Sequence, residues 1–467
     1  MNTHDVIVIG GGTGGYGTAL RAAALGLDVA LVERDKVGGT CLHRGCIPSK
    51  AMLHAAELVD GIAEARERWG VKASLDGVDW PALVATRDDI VARNHRGVEA
   101  HLARAGVTVV RGSARLTGPR SVRVDDGPGL TARRGIVLAT GSRPRTLPGL
   151  DPDGRRVVTS DDALFAPGLP ASVLVLGGGA IGVEYASFHR SMGAEVTLVE
   201  AADRIVPLED ADVSRHLTRG LKKRGVDVRV GARLLDAEVL DDGVRARVRT
   251  ARGETLVIGA ERLLVAVGRA PVTDGLGLGA AGLGTDARGF VVPADWDRLE
   301  TAVPGVHVVG DLLPPPSPGL AHASFAEGLL VAETLAGVAS APVDYAAVPR
   351  VTYSAPQTAA VGLSEAEARA RGYEPAVDLM PLTAVAKGMV HGQGGMVKVV
   401  AEAGGGRVLG VHLVGPHVSE MIAESQLIVG WDAEPADVAR HVHAHPTLSE
   451  AVGEVFLALA GRGLHRQ

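Results

Sequence analysis

Cysteine is the scarcest chemically reactive residue of this chain, with only Cys41 and Cys46 among 467 residues. So few thiols exclude a small secreted domain held together by disulfides. Two thiols placed five positions apart leave three interpretations: a redox-active disulfide, a metal site that also uses His43, and two inert buried thiols. A closed zinc site usually has four ligands, and no second Cys/His cluster lies nearby in the sequence. The redox interpretation is therefore favoured.

Aromatic residues, long apolar runs and blocks of one charge are also scarce. Aromatics make up 3% of the chain, so the core must consist mainly of Val, Leu, Ala and Ile. No apolar run is long enough to span a bilayer, and a net charge of -6 without a Lys/Arg block makes nucleic acid a poor partner. The first four residues lead at once into an apolar run, so we expect no signal peptide. We expect a reducing, cytoplasmic location, where a lone cysteine pair is more often catalytic than structural.

The spacing of the two cysteines predicts irregular backbone between them. Residues five apart in a helix rise about 7.5 Å along the axis, whereas a disulfide needs Cα atoms closer than about 7 Å. Gly45 permits such a break, and Pro48 suits the first turn of a helix that starts near Cys46. The start of that helix would lower the pKa of a thiol and stabilise its thiolate.

Two segments have the strand, glycine loop, helix and strand order of a dinucleotide-binding fold. DVIVI (5–9) and VALV (29–32) frame the first copy, which ends at Glu33, and VLVL (173–176) and VTLV (196–199) frame the second, which ends at Glu200. Each acid stands 23 positions after the first glycine, so the unit is repeated and two dinucleotide sites are expected. The glycines are Gly10, Gly12 and Gly15 in the first copy and Gly177, Gly179 and Gly182 in the second. Glu200 favours NAD, because its carboxylate would repel the 2′-phosphate of NADP.

The segment GGTCLHRGCIPSK (38–50) resembles the redox signature of the class I pyridine nucleotide-disulfide oxidoreductases, and its IPSK ending is most similar to the dihydrolipoamide dehydrogenase branch. The family usually has Asn-Val where this chain has His43 and Arg44. ATGS (139–142), VVGD (308–311), LAHASFAEG (320–328) and HVHAHPTLSE (441–450) resemble further family segments. The resemblance covers nearly the whole chain and is weakest over residues 380–398.

The resemblance implies roles for six residues. Cys41 would be the interchange thiol and Cys46 the thiol nearest the flavin. His445 would be the acid-base catalyst, oriented by Glu450, and these residue types suit thiol exchange near neutral pH. Lys50 and Glu184 would form a pair beside the flavin.

The resemblance also implies FAD in the first dinucleotide site and NAD in the second, and from the ligand count we expect no metal. The implied cofactor-binding residues are Gly10, Gly12, Gly15, Glu33, Arg34, Gly39, Thr40, Lys50, Ala114, Thr140, Gly141, Ser142, Gly177, Gly179, Ala180, Ile181, Gly182, Glu200, Gly268, Arg269, Gly310, Asp311, Leu320, Ala321 and His322.

The expected fold class is α/β, with two Rossmann-like dinucleotide-binding domains and a C-terminal α+β dimerisation domain. The expected domains are an FAD-binding segment (1–149), an NAD-binding domain (150–271), a second FAD-binding or central segment (272–347) and an interface domain (348–467). The proline-rich stretch 314–318 has no assigned role.

The implied activity is FAD-dependent oxidation of protein-bound dihydrolipoyl groups with NAD⁺ in 2-oxo acid dehydrogenase complexes. The implied partners are a second copy of the chain, whose histidine motif completes the active site, and the lipoyl domain of the acyltransferase (E2). Two other members of the family remain alternatives. A glutathione-reductase-like enzyme would be expected to use NADP and to have an arginine pair after the acid-ended strand of the second fold. A mercuric reductase would be expected to have an additional cysteine pair at the C-terminus. A non-enzymatic flavin-binding subunit is the alternative of a different class.

Overall fold

The computed structural model describes residues 2–125, 127 and 129–465. The chain folds into two compact units. The first unit comprises Met1–Ala51, Asp79–Arg145 and Arg269–Tyr345, and the second comprises Met52–Val78, Thr146–Gly268 and Ala346–Gln467.

The α-helices of the described residues are, in chain order, α1 Thr13–Ala24, α2 Gly39–Arg44, α3 Cys46–Arg68, α4 Trp80–Arg104, α5 Ser160–Leu164, α6 Ala180–Ser191, α7 Ala211–Lys223, α8 Ala321–Ala336, α9 Glu365–Ala370, α10 Ala386–His391, α11 Val418–Gly430, α12 Pro435–Val438 and α13 Glu450–Leu459.

The strands are β1 Asn2–Ile9, β2 Val29–Glu33, β3 Thr108–Arg111, β4 Ala114–Gly118, β5 Ser121–Val124, β6 Gly129–Leu138, β7 Ser142–Pro144, β8 Val157–Thr159, β9 Ser172–Leu176, β10 Glu195–Val199, β11 Asp227–Arg229, β12 Arg233–Val239, β13 Val244–Arg249, β14 Thr255–Ala260, β15 Arg262–Val265, β16 Arg269–Pro271, β17 Val306–Val308, β18 Arg350–Thr352, β19 Gln357–Gly362, β20 Pro375–Pro381, β21 Met396–Glu402 and β22 Val408–Gly415.

The first unit is organised around one sheet in the order β3-β2-β1-β6-β5-β4, with β17 also paired to β6. β1 runs parallel to both β2 and β6, in a register that pairs Val6 with Val29 and with Gly135. The carboxyl-terminal half of β1, residues 6–9, is buried on both faces, as the apolar run DVIVI predicts for a parallel strand. Its carboxyl end therefore delivers the first glycine loop to the edge of the sheet where nucleotides bind in such folds.

The second unit contains a parallel sheet in the order β11-β10-β9-β15-β8 and a three-stranded antiparallel sheet, β12-β13-β14. β9 carries the second glycine loop at its carboxyl end, so the repeat predicted from the sequence is present in the structure. A third, antiparallel sheet has the order β18-β19-β22-β21-β20, and α11 and α13 pack against it. Within the described residues, no helix combines the length and the apolar character needed to cross a bilayer.

Candidate active site

The two cysteines lie on either side of a break between two helices. Cys41 is in α2, and Cys46 is the first residue of α3. Gly45 stands between the helices with φ −143° and ψ −115°, outside the helical region. The break predicted from the spacing is therefore present, and it allows the side chains of Cys41 and Cys46 to form a hydrogen bond with each other. The structure shows both residues as thiols rather than as a disulfide.

The environment of Cys41 raises the pKa of its thiol and so favours the protonated form. Its hydrogen bond with Cys46 is the largest cause that raises the pKa of Cys41, and burial adds to it, while Lys50 acts in the opposite direction. Because the thiolate is the nucleophile, Cys41 needs a base before its sulfur can attack a disulfide.

In the first glycine loop, a side chain would clash with the backbone at Gly10 and at Gly15, whereas the space beside Gly12 is open. Gly10 has φ +103°, and a Cβ there would lie 2.3 Å from the carbonyl oxygen of Ala139. A Cβ on Gly15 would lie 1.8 Å from the carbonyl oxygen of Gly10. At Gly12, the residue that caps α1, the nearest heavy atom to such a Cβ would be Gly39 Cα at 3.9 Å. The gap at the start of α1 fits a pyrophosphate bound by the helix N-terminus.

The second glycine loop repeats this geometry. Gly177 has φ +111°, and its Cβ would lie 2.3 Å from the carbonyl oxygen of Ala266. A Cβ on Gly182 would lie 1.8 Å from the carbonyl oxygen of Gly177, whereas one on Gly179 would meet no described atom within 4 Å. The loop at the start of α6 therefore fits a second pyrophosphate.

The acids that end the second strand of each fold are held against the glycine loops. Glu33 accepts a hydrogen bond from the amide of Gly11 at 2.7 Å, and Glu200 accepts one from the amide of Gly178 at 2.6 Å. The other oxygen of each carboxylate accepts from the backbone amide two residues further on. Each carboxylate oxygen has a further lone pair, so both acids keep the capacity to bind a ribose hydroxyl.

Three residues assigned to the cofactor form one hydrogen-bonded chain in the first unit. The Ser142 hydroxyl donates to Asp311 Oδ2, and Arg269 donates from Nε to Ser142 Oγ at 2.7 Å and from Nη2 to its carbonyl oxygen at 2.8 Å. Burial raises the pKa of Asp311, and the contacts with Ser142 and Arg269 oppose it. β7 and β16 pair antiparallel, with Ser142 opposite Pro271 and Arg269 opposite Pro144, so it is the long Arg269 side chain that reaches Ser142.

The histidine motif forms an acid-base pair. His445 Nδ1 donates to Glu450 Oε1 at 2.6 Å, and the His445 side chain is 73% exposed. The Thr447 amide donates to the other Glu450 oxygen at 2.7 Å. Burial raises the pKa of Glu450, but the bonds from Thr447 and His445 outweigh it and hold the pKa below its usual range. An ionised Glu450 keeps a proton on His445 Nδ1 and leaves Nε2 as the proton acceptor. The peptide bond from His445 to Pro446 is cis.

A second His–Glu pair lies next to the first. His443 Nε2 donates to Glu424 Oε1 at 2.8 Å, and this bond raises the pKa of His443 despite its partial burial. The His443 ring lies over Gly453 of α13, where a Cβ would come within 2.5 Å of Nδ1. His441, the first histidine of the motif, is exposed.

Lys50 and Glu184, which the resemblance pairs, belong to different units, and their pairing stays a prediction. Lys50 lies in α3, and Glu184 lies in α6, where its carboxylate accepts from the Tyr353 amide at 2.9 Å.

The other predicted residues lie at the edges of the elements described above. Arg34 follows β2, Gly39 and Thr40 open α2, Ala114 opens β4, Thr140 and Gly141 precede β7, Ala180 and Ile181 open α6, Gly268 precedes β16, Gly310 opens a 3₁₀ turn, and Leu320, Ala321 and His322 begin α8. Among the described residues, no group of three or more His, Cys, Asp or Glu side chains is arranged to hold a metal ion.

Two residues of the first unit, one half-buried and one fully buried, were not predicted from the sequence. Tyr16 of α1 packs edge-on against Phe325 with ring centroids 5.4 Å apart, and burial and then the proximity of Cys41 raise its pKa. Glu327 of α8 is fully buried and binds the amide of Gly310. A carboxylate within a largely apolar helix was the available signal for Glu327, because such a group needs partners when buried.

The sequence matches two family models over most of its length. Residues 4–328 match the model described as pyridine nucleotide-disulphide oxidoreductase, and residues 348–456 match its dimerisation domain. The chain belongs to the pyridine nucleotide-disulphide oxidoreductase family. Its dimerisation domain indicates a homodimer.

Two curated relatives are similar over their full length. The dihydrolipoyl dehydrogenase of Thermus scotoductus is 42% identical, with 100% of this chain and 99% of the relative covered. The dihydrolipoyl dehydrogenase of Bacillus subtilis is 38% identical, with 99% of each covered. Among solved structures, LpdA of Mycobacterium tuberculosis matches with a TM-score of 0.87 and 25% identity, over 98% of this chain and 100% of that one.

These comparisons confirm the predicted family and the predicted fold class of two nucleotide-binding domains with a dimerisation domain. They also confirm a flavoprotein disulfide oxidoreductase whose cofactors are FAD and NAD(H). The glycine loops fit that pair of cofactors, because each leaves an open position at a helix start.

Proposed function

We propose that this enzyme oxidises protein-bound dihydrolipoyl groups with NAD⁺. The observation that supports it best is the contact between the redox helix and the first glycine loop. Gly39, which opens α2, approaches Gly12 so closely that a Cβ on Gly39 would lie 2.5 Å from Gly12 Cα. Cys41 follows two residues later, so the thiol pair stands beside the predicted FAD site.

In the proposed reaction, the dithiol of the substrate reduces a Cys41–Cys46 disulfide. His445 takes a proton from the first substrate thiol, the resulting thiolate attacks Cys41, and the disulfide bond breaks as a mixed disulfide forms. The second substrate thiol resolves the mixed disulfide and releases lipoyl disulfide. The substrate thus loses two electrons and two protons, and the enzyme disulfide is reduced to the thiols of Cys41 and Cys46.

When bound, FAD would couple two-electron thiol oxidation to hydride transfer to NAD⁺. Cys41 and Cys46 would return to the disulfide and give up two electrons and two protons; the hydride takes both electrons and one proton, and the other proton is released. Gly12 and Glu33 would hold FAD, and Asp311 would bind its ribityl chain. Gly179 and Glu200 would hold NAD⁺, and Glu200 would disfavour NADP⁺ by repelling its 2′-phosphate.

The protein partner that we propose is a lipoyl domain of a 2-oxo acid dehydrogenase acyltransferase, since a lipoyl group carried on a mobile domain can reach a half-buried thiol pair. We also propose that His445 acts on the thiols of the partner subunit, and that Lys50 and Glu184 pair beside the flavin. The domain boundaries given above and a cytoplasmic location are further proposals, the latter based on cysteine usage.

The thiols provide the test. We expect Cys41→Ser to abolish lipoamide turnover and to leave FAD bound with Cys46 able to donate to it. Cys46→Ser should remove the long-wavelength absorption that appears when a thiolate contacts oxidised flavin. Stopped-flow absorbance with dihydrolipoamide measures both effects. Turnover near the wild-type rate in either variant would exclude the disulfide mechanism.

The substrate itself is tested by comparing dihydrolipoamide, reduced glutathione and quinones, each with NAD(H) and NADP(H). Dihydrolipoamide with NAD⁺ should have the highest kcat/KM. A preference for glutathione and NADP(H) would instead support the glutathione-reductase-like alternative.

A further inference from the structure

Glu327 is a buried carboxylate whose three hydrogen-bond donors all belong to the first unit, the unit that carries the predicted flavin site. It lies in α8, five residues after His322, and none of its surface is exposed. Its Oε2 accepts a hydrogen bond from the Gly310 amide at 2.7 Å. Its Oε1 accepts from the Ser317 hydroxyl at 2.7 Å and from the Tyr345 hydroxyl at 3.2 Å.

These three donors come from three separate segments. Gly310 opens the 3₁₀ turn that presents Asp311, with φ +71°. Ser317 belongs to the proline-rich stretch 314–318, to which the sequence assigns no role, and it is itself buried. Tyr345 ends the first unit and packs edge-on against Trp296. One carboxylate therefore joins the turn, the proline-rich stretch and the end of the unit.

The arrangement constrains Asp311 through its neighbour. The Gly310 amide is buried, so an unsatisfied N–H there would have a large free-energy cost, and the turn is stable only where Glu327 can accept from it. Asp311 is adjacent in the chain, and its charge adds to the effect of burial in raising the pKa of Glu327, which shows that the two carboxyl groups are close.

We propose that Glu327 is a positioning residue for the flavin site: it holds Asp311 in place by binding the Gly310 amide and by tying the turn to Ser317 and Tyr345. This inference rests on the proposed role of Asp311 in binding the ribityl chain of FAD. It gives the proline-rich stretch a function, because Ser317 is the point at which that stretch is attached to α8.

The test measures the dissociation constant of FAD for the apoprotein by flavin fluorescence. Glu327→Leu removes the acceptor with little change in size, and we expect FAD binding to weaken at least about tenfold. Glu327→Gln keeps an acceptor oxygen and should bind FAD within about threefold of wild type. Glu333→Gln is the matched control, because Glu333 is on the same helix but pairs with Arg21 at 2.6 Å, and it should leave FAD binding unchanged.

A second set of variants separates positioning from general stability. In an Asp311→Ala background, Glu327→Leu should cause less than about a twofold further loss, since its effect passes through Asp311. An equal loss in both backgrounds, or wild-type FAD binding by folded Glu327→Leu protein, would overturn the proposal. Where Glu327→Leu apoprotein does not fold, Ser317→Ala replaces it, with an expected loss of about threefold in the wild-type background only. Unchanged binding by Ser317→Ala would then overturn the proposal.

The Asp311→Ala protein by itself tests the premise. Normal FAD binding by Asp311→Ala would show that the proposed role of Asp311 is wrong, and the inference on Glu327 would fail with it. Weak binding by Asp311→Ala with normal binding by Glu327→Leu would leave the proposed function intact and reject only the inference.

Discussion

At the scale of single residues, the His445–Glu450 pair provides the base that the thiols need. A thiol has a pKa of about 8.5 and is mostly protonated at pH 7, so attack without a base depends on a small thiolate fraction. A positioned general base typically contributes about 10²–10⁴-fold. We expect His445→Gln to lose at least about a hundredfold in lipoamide turnover, while NADH still reduces the flavin in the first half-reaction.

Glu450→Ala should lose less activity than His445→Gln, because it frees the imidazole to turn but leaves it present. Steady-state rates and single-turnover reduction by NADH distinguish the two steps. Normal turnover by His445→Gln would exclude His445 as the base. Impaired reduction of the flavin by NADH would show that the substitution acts on the coenzyme half-reaction rather than on thiol exchange.

His443 gives the second residue-scale prediction, on stability rather than on rate. Its pKa is raised in the folded protein by the hydrogen bond to Glu424, so the protonated form favours folding. This contribution is fully present below the unfolded pKa of about 6.5 and disappears as the pH rises through the higher folded value. Glu424→Gln should therefore lower the melting temperature at pH 5.5 and have little effect at pH 9. A decrease of equal size at both pH values would show that the pair contributes through packing alone.

At the scale of elements, the two glycine loops have one open position each. The Cβ of an alanine at Gly179 would meet no described atom within 4 Å, so the substituted loop can still fold. Its methyl group would, however, occupy the space in which we propose that the pyrophosphate of NAD⁺ binds. We expect Gly179→Ala to raise KM for NAD⁺ at least about tenfold and to leave FAD content and melting temperature unchanged.

Gly259→Ala in β14 is the matched control for that change, since its Cβ also meets nothing among the described atoms and it is remote in sequence from the loop. Gly182→Ala should instead destabilise the protein, because its Cβ would lie 1.8 Å from a carbonyl oxygen. An unchanged KM for NAD⁺ in Gly179→Ala would contradict the assignment of this loop to the coenzyme.

At the scale of the whole molecule, the dimerisation domain makes it possible to test whether each active site combines residues of both subunits. If His445 serves the thiols of the partner, a mixed dimer of His445→Gln and Cys41→Ser chains has one competent site of its two. We expect subunit exchange between the two inactive homodimers to restore measurable lipoamide turnover. Differently tagged chains, recovered by tandem purification, show independently that exchange has taken place. Purified mixed dimers without activity would exclude a shared site.

Much of the architecture follows from short-range patterns. The strands 5–9 and 173–176, the glycine spacings and the acids 23 positions later were readable because each is a local requirement of one βαβ unit. The break at Gly45 was predictable for the same reason, since two cysteines five apart cannot be bridged across a regular helix. His445 and Glu450 are likewise separated by only five residues.

The sequence by itself thus determined which chemical groups the protein carries and the family to which it belongs. Only the tertiary structure decided which groups meet when their separation along the chain is large. Glu424 pairs with His443, which lies 19 residues further along the chain. Glu327 accepts hydrogen bonds from the Gly310 amide, which precedes it in the sequence, and from the Tyr345 hydroxyl, which follows it. The partners of Glu424 and Glu327 depend on how helices pack on sheets, and no local sequence pattern encodes that packing. A buried carboxylate needs hydrogen-bond donors, but the fold decides which donors lie within its reach.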